Sequence, residues 1–243
     1  MVEHTPPSFV KRLTIVTLYV IYLFDLASIV IVFVIFSTLI IDSTSPLVPA
    51  SLPLHTRNVT LGLLYASYPL TQFFGAPVLG ELSDRYGKKV IINISTLGTA
   101  AAFFLTALSI ITCDLALLFI SRLIGGFFAG NASLAQAAVS SLVEKKNRSK
   151  SMALFTVAGG FAWIIGPFLG SFLSNHQIVP WFGYDIPFWF VGLIFLLCWG
   201  IITSSYPHVA QPKKQEKLSV RQTFKNLVAI FHIKIIIAPF LIS

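Results

Sequence analysis

The chain has 243 residues, of which 56% are hydrophobic and 11% are charged, and its formal net charge is +8. Because a soluble domain carries about 25% charged residues, this composition argues against a soluble globular protein and predicts an integral membrane protein. The positive charge implies no nucleic-acid partner, because it comes from lysines and arginines that flank the apolar segments.

Six apolar segments are long enough to cross a bilayer as helices, since one crossing takes about 20 mostly apolar residues. In chain order, the predicted spans are residues 14–41, 59–80, 90–112, 115–142, 152–174 and 186–205. The expected fold is therefore all-α, a six-helix transmembrane bundle over residues 1–206. A basic cytoplasmic linker is predicted over residues 207–231, and residues 232–243 are predicted to be the truncated start of a seventh span.

The positions of the basic residues predict the orientation of this bundle. Every Lys and Arg except Arg57, Arg122 and Lys234 lies in the N-terminal segment, in the connections between spans two and three or four and five, or in the linker. The positive-inside rule therefore places the N-terminus and the linker in the cytoplasm, and a plasma or inner membrane is expected.

The two cysteines, Cys113 and Cys198, lie at or inside span ends, and we expect neither a disulfide nor a metal site from them. No phosphate-binding loop, metal-ligand spacing or catalytic motif occurs, so the sequence predicts neither an enzyme nor a cofactor.

Two ionisable residues interrupt apolar spans: Asp25 in span one and Arg122 in span four. Each costs about 2.5–3.5 kcal/mol at the centre of a span, which requires a reason. One hypothesis is that both face a wet cavity and serve proton coupling or substrate binding. The alternative is that they lie near an interface or pair as a structural lock.

Polar neighbours favour the cavity. They recur at helical spacing in spans one, two and four, as expected for helices that line an aqueous passage. The candidate lining residues are Tyr22, Ser28, Tyr65, Tyr68, Gln72, Asn131 and Gln136. Asp25 is suited to carry protons. A change in its exposure to water or in its distance to a cation would change the pKa of its carboxyl, so that it takes up a proton in one conformation and releases it in the other.

Span five contains small residues four apart, Ala162, Gly166 and Gly170, which predict close approach of another helix. Pro167 removes one internal hydrogen bond and predicts a kink. The motif indicates either static packing or a hinge between two bundles.

The connection GELSDRYGKK, residues 80–89, is charged between two apolar segments. Gly80 permits close helix approach, and Gly87 permits a left-handed turn. Asp84 among cations predicts an ion pair or a bond to a helix N-terminus, a clasp that holds one conformation shut.

The spacing within that connection resembles the signature between helices two and three of the major facilitator superfamily. Its residues are Gly80, Asp84, Arg85, Gly87, Lys88 and Lys89, with Lys88 where Arg is commoner.

Two further motifs agree with this resemblance. Leu118-x-x-x-Arg122 followed by Gly126 resembles the helix-four motif of proton-coupled members, although Gly125 and Phe128 depart from it. Gly166-Pro167-x-x-Gly170 resembles the helix-five motif of antiporters, although Ser171 and Ala162 stand where glycines are usual. The surroundings of Asp25, with Pro46 and Pro49 downstream, are similar to those in tetracycline/proton antiporters.

The resemblance implies a fold of two six-helix bundles that rock around a central site, of which this chain is the N-terminal half. It further implies that Asp84 and Arg85 clasp the cytoplasmic gate, that Asp25 and Arg122 serve coupling or substrate binding, and that the helix-five motif packs against the other bundle.

The expected function is that of a proton-coupled secondary active transporter that exports a small organic molecule or drug by antiport. The alternatives are a proton-coupled importer and a truncated half-transporter with no activity alone. The expected partners are the lipid bilayer, a small-molecule substrate, protons, and either a missing C-terminal half or a second copy.

Overall fold

The structure is a computed structural model that describes residues 8–42, 44–49 and 51–206. The predicted linker at 207–231 and the predicted start of a seventh span at 232–243 lie outside the described residues.

Seven α-helices and no strand form the described part of the chain. They are α1 (Ser8–Ile41), α2 (Leu54–Tyr86), α3 (Lys88–Ile111), α4 (Leu115–Phe127), α5 (Asn131–Leu142), α6 (Arg148–Leu173) and α7 (Ile186–Ser205). The predicted all-α fold is confirmed.

The predicted spans correspond to these helices, with one helix for each span except the fourth. Span four is divided into α4 and α5 by a turn at residues 128–130. The break was not predicted, because residues 128–130 contain no proline and the apolar pattern continues across them.

Five helical stretches in the described residues are both long and apolar enough to cross a membrane. They are Phe9–Ile41, Lys88–Ile111, Leu115–Leu142, Lys145–Leu173 and Ile186–Ser205. The predicted span 59–80 lies in α2, which has 33 residues but falls outside this set. Tyr, Ser, Thr, Gln and Pro residues make α2 less apolar than the other helices.

The bundle is organised around α1, which packs against α2, α5, α6 and α7, whereas α3 packs against α4 and α7. Aromatic rings fill the centre of the α3–α7 contact, where Phe103 stacks on Phe195 with ring centroids 5.8 Å apart. Phe188 and Phe195 are fully buried there. Such dense packing holds helices together in lipid, where the hydrophobic effect between helices is weak.

The small residues of α6 lie against α1. A Cβ atom added to Gly166 would lie 2.7 Å from the Ala27 carbonyl oxygen, and one added to Gly170 would lie 3.6 Å from the Ile31 Cα. Ala162, on the same face, is fully buried. In the described residues this face packs on α1, and the implied contact of the helix-five motif with the other bundle stays a prediction. The helix continues through Pro167 without a break.

Candidate functional site

A cavity of about 240 Å³ lies between α1 and α2 and is closed on one side by α4. Its wall is mostly apolar and aromatic, with a few polar groups, as is usual for sites that bind small organic molecules. It is lined by Ser28, Ile29, Val32, Phe33, Leu64, Tyr65, Tyr68, Pro69, Gln72 and Arg122.

Arg122 is the one charged residue of this lining, and its side chain is only 3% exposed. Its Nη2 donates a hydrogen bond of 2.6 Å to the Thr106 hydroxyl, and its Nε has no partner among the described residues. Its Cζ lies 5.5, 6.0 and 5.6 Å from the ring centroids of Phe36, Tyr68 and Phe103, respectively. Aromatic faces at these distances attract a cation, so three rings surround the guanidinium.

Asp25 is also buried, with 4% of its surface exposed, but it is turned toward α5. Its carboxyl faces the side chain of Asn131 and the backbone of Ala132, while Oδ1 has no hydrogen-bond partner among the described residues. These two residues begin α5 after the break in span four, where the first backbone N–H groups of a helix are free. A broken helix therefore points its N-terminus at a buried carboxyl, an arrangement that suits negative charge.

Asn131 connects this carboxyl to α3. Its Nδ2 donates to the Thr99 hydroxyl at 2.8 Å, and its Oδ1 accepts from the Ser95 hydroxyl at 2.8 Å. These bonds hold the amide in one orientation beside Asp25.

The two buried charges are not paired with each other. The described residues contain no ion pair between Asp25 and Arg122. Tyr68 lies within electrostatic range of both charges. The alternative that the two residues form a structural lock therefore has no support in this conformation.

Of the predicted lining residues, the cavity includes Ser28, Tyr65, Tyr68 and Gln72. Two of these residues already use a polar group in a hydrogen bond within the bundle. Tyr65 donates to the Phe33 carbonyl at 2.8 Å, and Gln72 donates to the Ala129 carbonyl at 3.0 Å.

The other three predicted lining residues lie elsewhere. Tyr22 packs edge-on against Phe155 of α6, with ring centroids 4.8 Å apart. Asn131 belongs to the network around Asp25, and Gln136 is half-buried on α5 outside the cavity lining. The sequence also did not identify Phe36, Phe103 or Thr106 as neighbours of Arg122, since apolar and Thr residues in a span carry no distinguishing signal.

Within the charged segment 80–89, Gly87 is the one residue that joins α2 to α3, and the other residues belong to the ends of the two helices. Its backbone has φ 94° and ψ 145°. This backbone region is essentially restricted to glycine, although it differs from the predicted left-handed turn in its extended ψ. Lys88 donates to the Ala137 carbonyl of α5 at 2.8 Å, and Lys89 donates to the Tyr206 carbonyl after α7 at 3.1 Å.

Asp84 and Arg85 are exposed at the end of α2, with the Arg85 guanidinium 5.5 Å from the Tyr86 ring. Neither residue forms an ion pair within the described part of the chain, so the clasp stays a prediction. The close approach expected at Gly80 is wrong, since an added Cβ there has no described neighbour within 4 Å. Helix α2 instead approaches α4 at Gly75, next to Phe127.

Comparisons with known proteins agree with this geometry. The sequence profile of the Major Facilitator Superfamily matches residues 18–243. The chain belongs to this superfamily. Its members are transporters, so the multi-pass membrane fold and the intramembrane cavity are those of a transporter family.

Relatives include transporters linked to drug resistance. The chain is 35% identical to mouse major facilitator superfamily domain-containing protein 10, over 56% of this chain and 29% of the relative. It is 31% identical to the class H tetracycline resistance protein of Pasteurella multocida, over 69% of this chain and 39% of the relative. Multidrug resistance protein 1 of Bacillus subtilis is 28% identical, over 72% of this chain and 43% of the relative. The matched part of the chain thus spans less than half the length of each of these relatives.

Solved major facilitator structures share the fold. The human organic anion transporter MFSD10 (TETRAN) superposes with a TM-score of 0.65 at 24% identity, over 88% of this chain and 51% of that chain. A D-xylose-proton symporter superposes with a TM-score of 0.64 at 18% identity, over 95% of this chain and 56% of that chain.

Proposed function

We propose that this protein is a proton-coupled secondary active transporter that exports a small organic molecule by antiport. The observation that carries the proposal is that two ionisable residues are buried in the bundle, Arg122 in the lining of the cavity between α1 and α2 and Asp25 against the beginning of α5. Ionisable residues in such positions are expensive and commonly belong to proton or substrate pathways.

In the proposed mechanism, alternating access changes the surroundings of Asp25. Its carboxyl takes up a proton from the outer side when the cavity opens outward, and releases that proton to the cytoplasm when the cavity opens inward. One charge moved through 100 mV is worth about 2.3 kcal/mol, which is enough to drive a modest substrate gradient.

The relatives support export rather than import. Tetracycline and multidrug resistance proteins, and a quinolone resistance protein of Staphylococcus aureus, match this chain. We propose the same direction of transport here, in a plasma or inner membrane with the N-terminus in the cytoplasm.

We also propose that transport requires a second six-helix half, supplied by further chain or by a second copy. Among the described residues, the cavity lining comes from α1, α2 and α4, and Leu63, Leu70 and Phe73, which are next in sequence to lining residues of α2, are exposed. A central site between two bundles needs a second wall, because ligand sites bury most of the ligand surface.

The test uses the full-length protein reconstituted in liposomes that contain a pH-sensitive dye. Tetracycline, norfloxacin and fluorescein are added in turn across an imposed pH gradient, and the proton flux is measured. Substrate-dependent proton flux opposite to the substrate is expected in the wild type and is expected to disappear in Asp25→Asn, whose amide cannot release a proton.

The matched control is Asp42→Asn. Asp42 is exposed after α1, and two hydrogen bonds from the Thr44 backbone N–H and hydroxyl lower the pKa of its carboxyl, so it is ionised at neutral pH. Its neutralisation is expected to leave the flux unchanged. Unchanged flux in Asp25→Asn contradicts the proposal, and proton flux in the same direction as the substrate indicates an importer.

A further inference from the structure

We propose that Arg122 binds the substrate directly and that the cavity accepts an aromatic organic anion, whose carboxylate pairs with the guanidinium. This inference rests on the transport function proposed above and adds the substrate class to it.

The first step is the charge of Arg122. An arginine side chain in a protein stays protonated, and this one is 3% exposed without an ion-pair partner among the described residues. Within the same residues its one hydrogen-bond acceptor is the neutral Thr106 hydroxyl, and its Nε is buried with no acceptor. A buried charge is stable only when it is paired or well hydrogen-bonded, so this guanidinium lacks an anionic partner.

The second step excludes the nearest buried carboxyl. Asp25 faces Asn131 and Ala132 at the beginning of α5, and it forms no ion pair with Arg122 among the described residues. Asn131 is itself held by Ser95 and Thr99 of α3. Asp25 is therefore engaged at the N-terminus of α5 and does not supply the missing partner.

The third step is the shape of the cavity wall. Phe33 and Tyr65 pack edge to face with ring centroids 4.7 Å apart, and Val32, Leu64 and Tyr68 extend the same wall. This wall suits an aromatic ring, and Arg122 is the charged group of the lining. Guanidinium and carboxylate match in geometry, since two parallel N–H groups can donate to two oxygens. A cationic compound in the same cavity is repelled by Arg122.

Equilibrium binding tests the inference without a proton gradient. Fluorescence anisotropy measures binding of fluorescein, an aromatic carboxylate, and of rhodamine 6G, a cation with a similar ring system, to the purified full-length protein. The wild type is expected to bind fluorescein more tightly than rhodamine 6G. Arg122→Gln is expected to raise the Kd for fluorescein about 10- to 100-fold, the range for loss of a hydrogen bond to a charged group.

Two variants serve as controls. Arg122→Lys keeps the charge but loses the paired donors, so an intermediate Kd is expected. Arg148→Gln removes an exposed arginine at the start of α6 and is expected to bind like the wild type. Equal fluorescein affinity in folded Arg122→Gln, or tighter binding of rhodamine 6G by the wild type, overturns the inference.

A second measurement needs no variant and covers the case in which Arg122→Gln does not fold. On the wild type, 1-naphthoate is expected to displace bound fluorescein, whereas the neutral 1-naphthamide is expected to displace it at least 10-fold more weakly. Equal displacement by both compounds overturns the inference. Proton-linked export of tetracycline without fluorescein binding refutes the substrate class alone, whereas Arg122-dependent binding without any flux refutes the transport proposal.

Discussion

Arg57 shows how a single side chain organises the connection between α1 and α2. It is 3% exposed, and its guanidinium donates to the carbonyl oxygens of Ile40, Asp42, Pro49 and Leu52 at 2.8–3.3 Å. The Ile40 carbonyl belongs to the last turn of α1, where carbonyl groups have no partner within the helix. From the sequence, Arg57 is only an isolated cation on the predicted outer side. Its hydrogen bonds could not be predicted, because its acceptors are backbone carbonyl groups, which every residue carries.

Replacement of Arg57 is expected to destabilise the protein. Arg57→Gln loses several charge-assisted hydrogen bonds and leaves buried carbonyls unpaired, which we expect to lower the free energy of unfolding by about 2–4 kcal/mol. Arg57→Lys is expected to rescue little of this, because one ammonium cannot reach four carbonyls in a planar fork. Thermal unfolding of the purified full-length protein measures the effect, with Arg148→Lys as an exposed control. An Arg57→Lys protein that unfolds at the wild-type temperature contradicts this role.

Replacement of Gly87 separates the effect of backbone conformation on stability from the effect of packing. An added Cβ there has no neighbour within 4 Å among the described residues, but φ is +94° with ψ 145°, a region that other residues avoid. Gly87→Ala is therefore expected to lose about 1–3 kcal/mol of stability, although no clash arises. Gly80→Ala, inside α2 and equally free of contacts, is expected to be neutral or slightly stabilising in the same unfolding assay. Equal stability of the two variants would show that the conformation of Gly87 is not required.

At the scale of elements, the α1–α6 contact depends on glycine at one position. A Cβ at Gly166 meets the Ala27 carbonyl oxygen at 2.7 Å and the Val30 Cβ at 2.9 Å, whereas a Cβ at Gly160 on the same helix meets no described atom within 4 Å. Gly166→Ala is expected to cost about 1–3 kcal/mol through overpacking, and Gly160→Ala is expected to be harmless. The midpoint of thermal unfolding of both variants distinguishes this contact from a general preference for glycine in α6.

Helical spacing alone predicted which helices carry polar faces, but it did not predict where each side chain lies. Tyr22 and Ser28 are six residues apart, which rotates them by about 120° around an α-helix with 3.6 residues per turn. This rotation explains why Ser28 lines the cavity while Tyr22 packs on Phe155 of α6. Residues three apart therefore lie on the same face of a helix, whereas residues two such steps apart point in different directions.

The helices themselves were predictable, and their ends less so. Helix α1 begins at Ser8 instead of residue 14, and α2 begins at Leu54 instead of residue 59. Apolar runs mark only the part of a helix that lies in lipid, whereas the backbone continues as a helix into polar turns. The environment of Arg122 was not predictable, because Phe36, Phe103 and Thr106 come from two different helices and meet only in the folded bundle.

At the scale of the whole molecule, two of the basic residues that predict topology also bind backbone carbonyl groups elsewhere in the bundle. Lys88 donates to the Ala137 carbonyl within α5, and Lys89 donates to the Tyr206 carbonyl just after the C-terminus of α7, where a helix end carries partial negative charge. Lysines on the predicted cytoplasmic side therefore contribute to packing of the bundle, in addition to their predicted role in orienting it. On the predicted outer side, the described residues contain no cluster of basic side chains. The basic residue there is Arg57, which binds carbonyl groups at the end of α1 and in the loop before α2.

The orientation predicted by this charge distribution can be measured with the native cysteines. Cys113 is exposed in the connection between α3 and α4, on the predicted outer side, whereas Cys198 is buried. A membrane-impermeant maleimide is expected to label Cys113 of the wild type in intact cells, and Cys113→Ser is expected to lose the label at this position. In that cysteine-replaced background, Lys146→Cys, on the predicted cytoplasmic side and 79% exposed, is expected to react only after permeabilisation. The reverse pattern would place the N-terminus outside and would contradict the positive-inside assignment, since short basic connections stay in the cytoplasm.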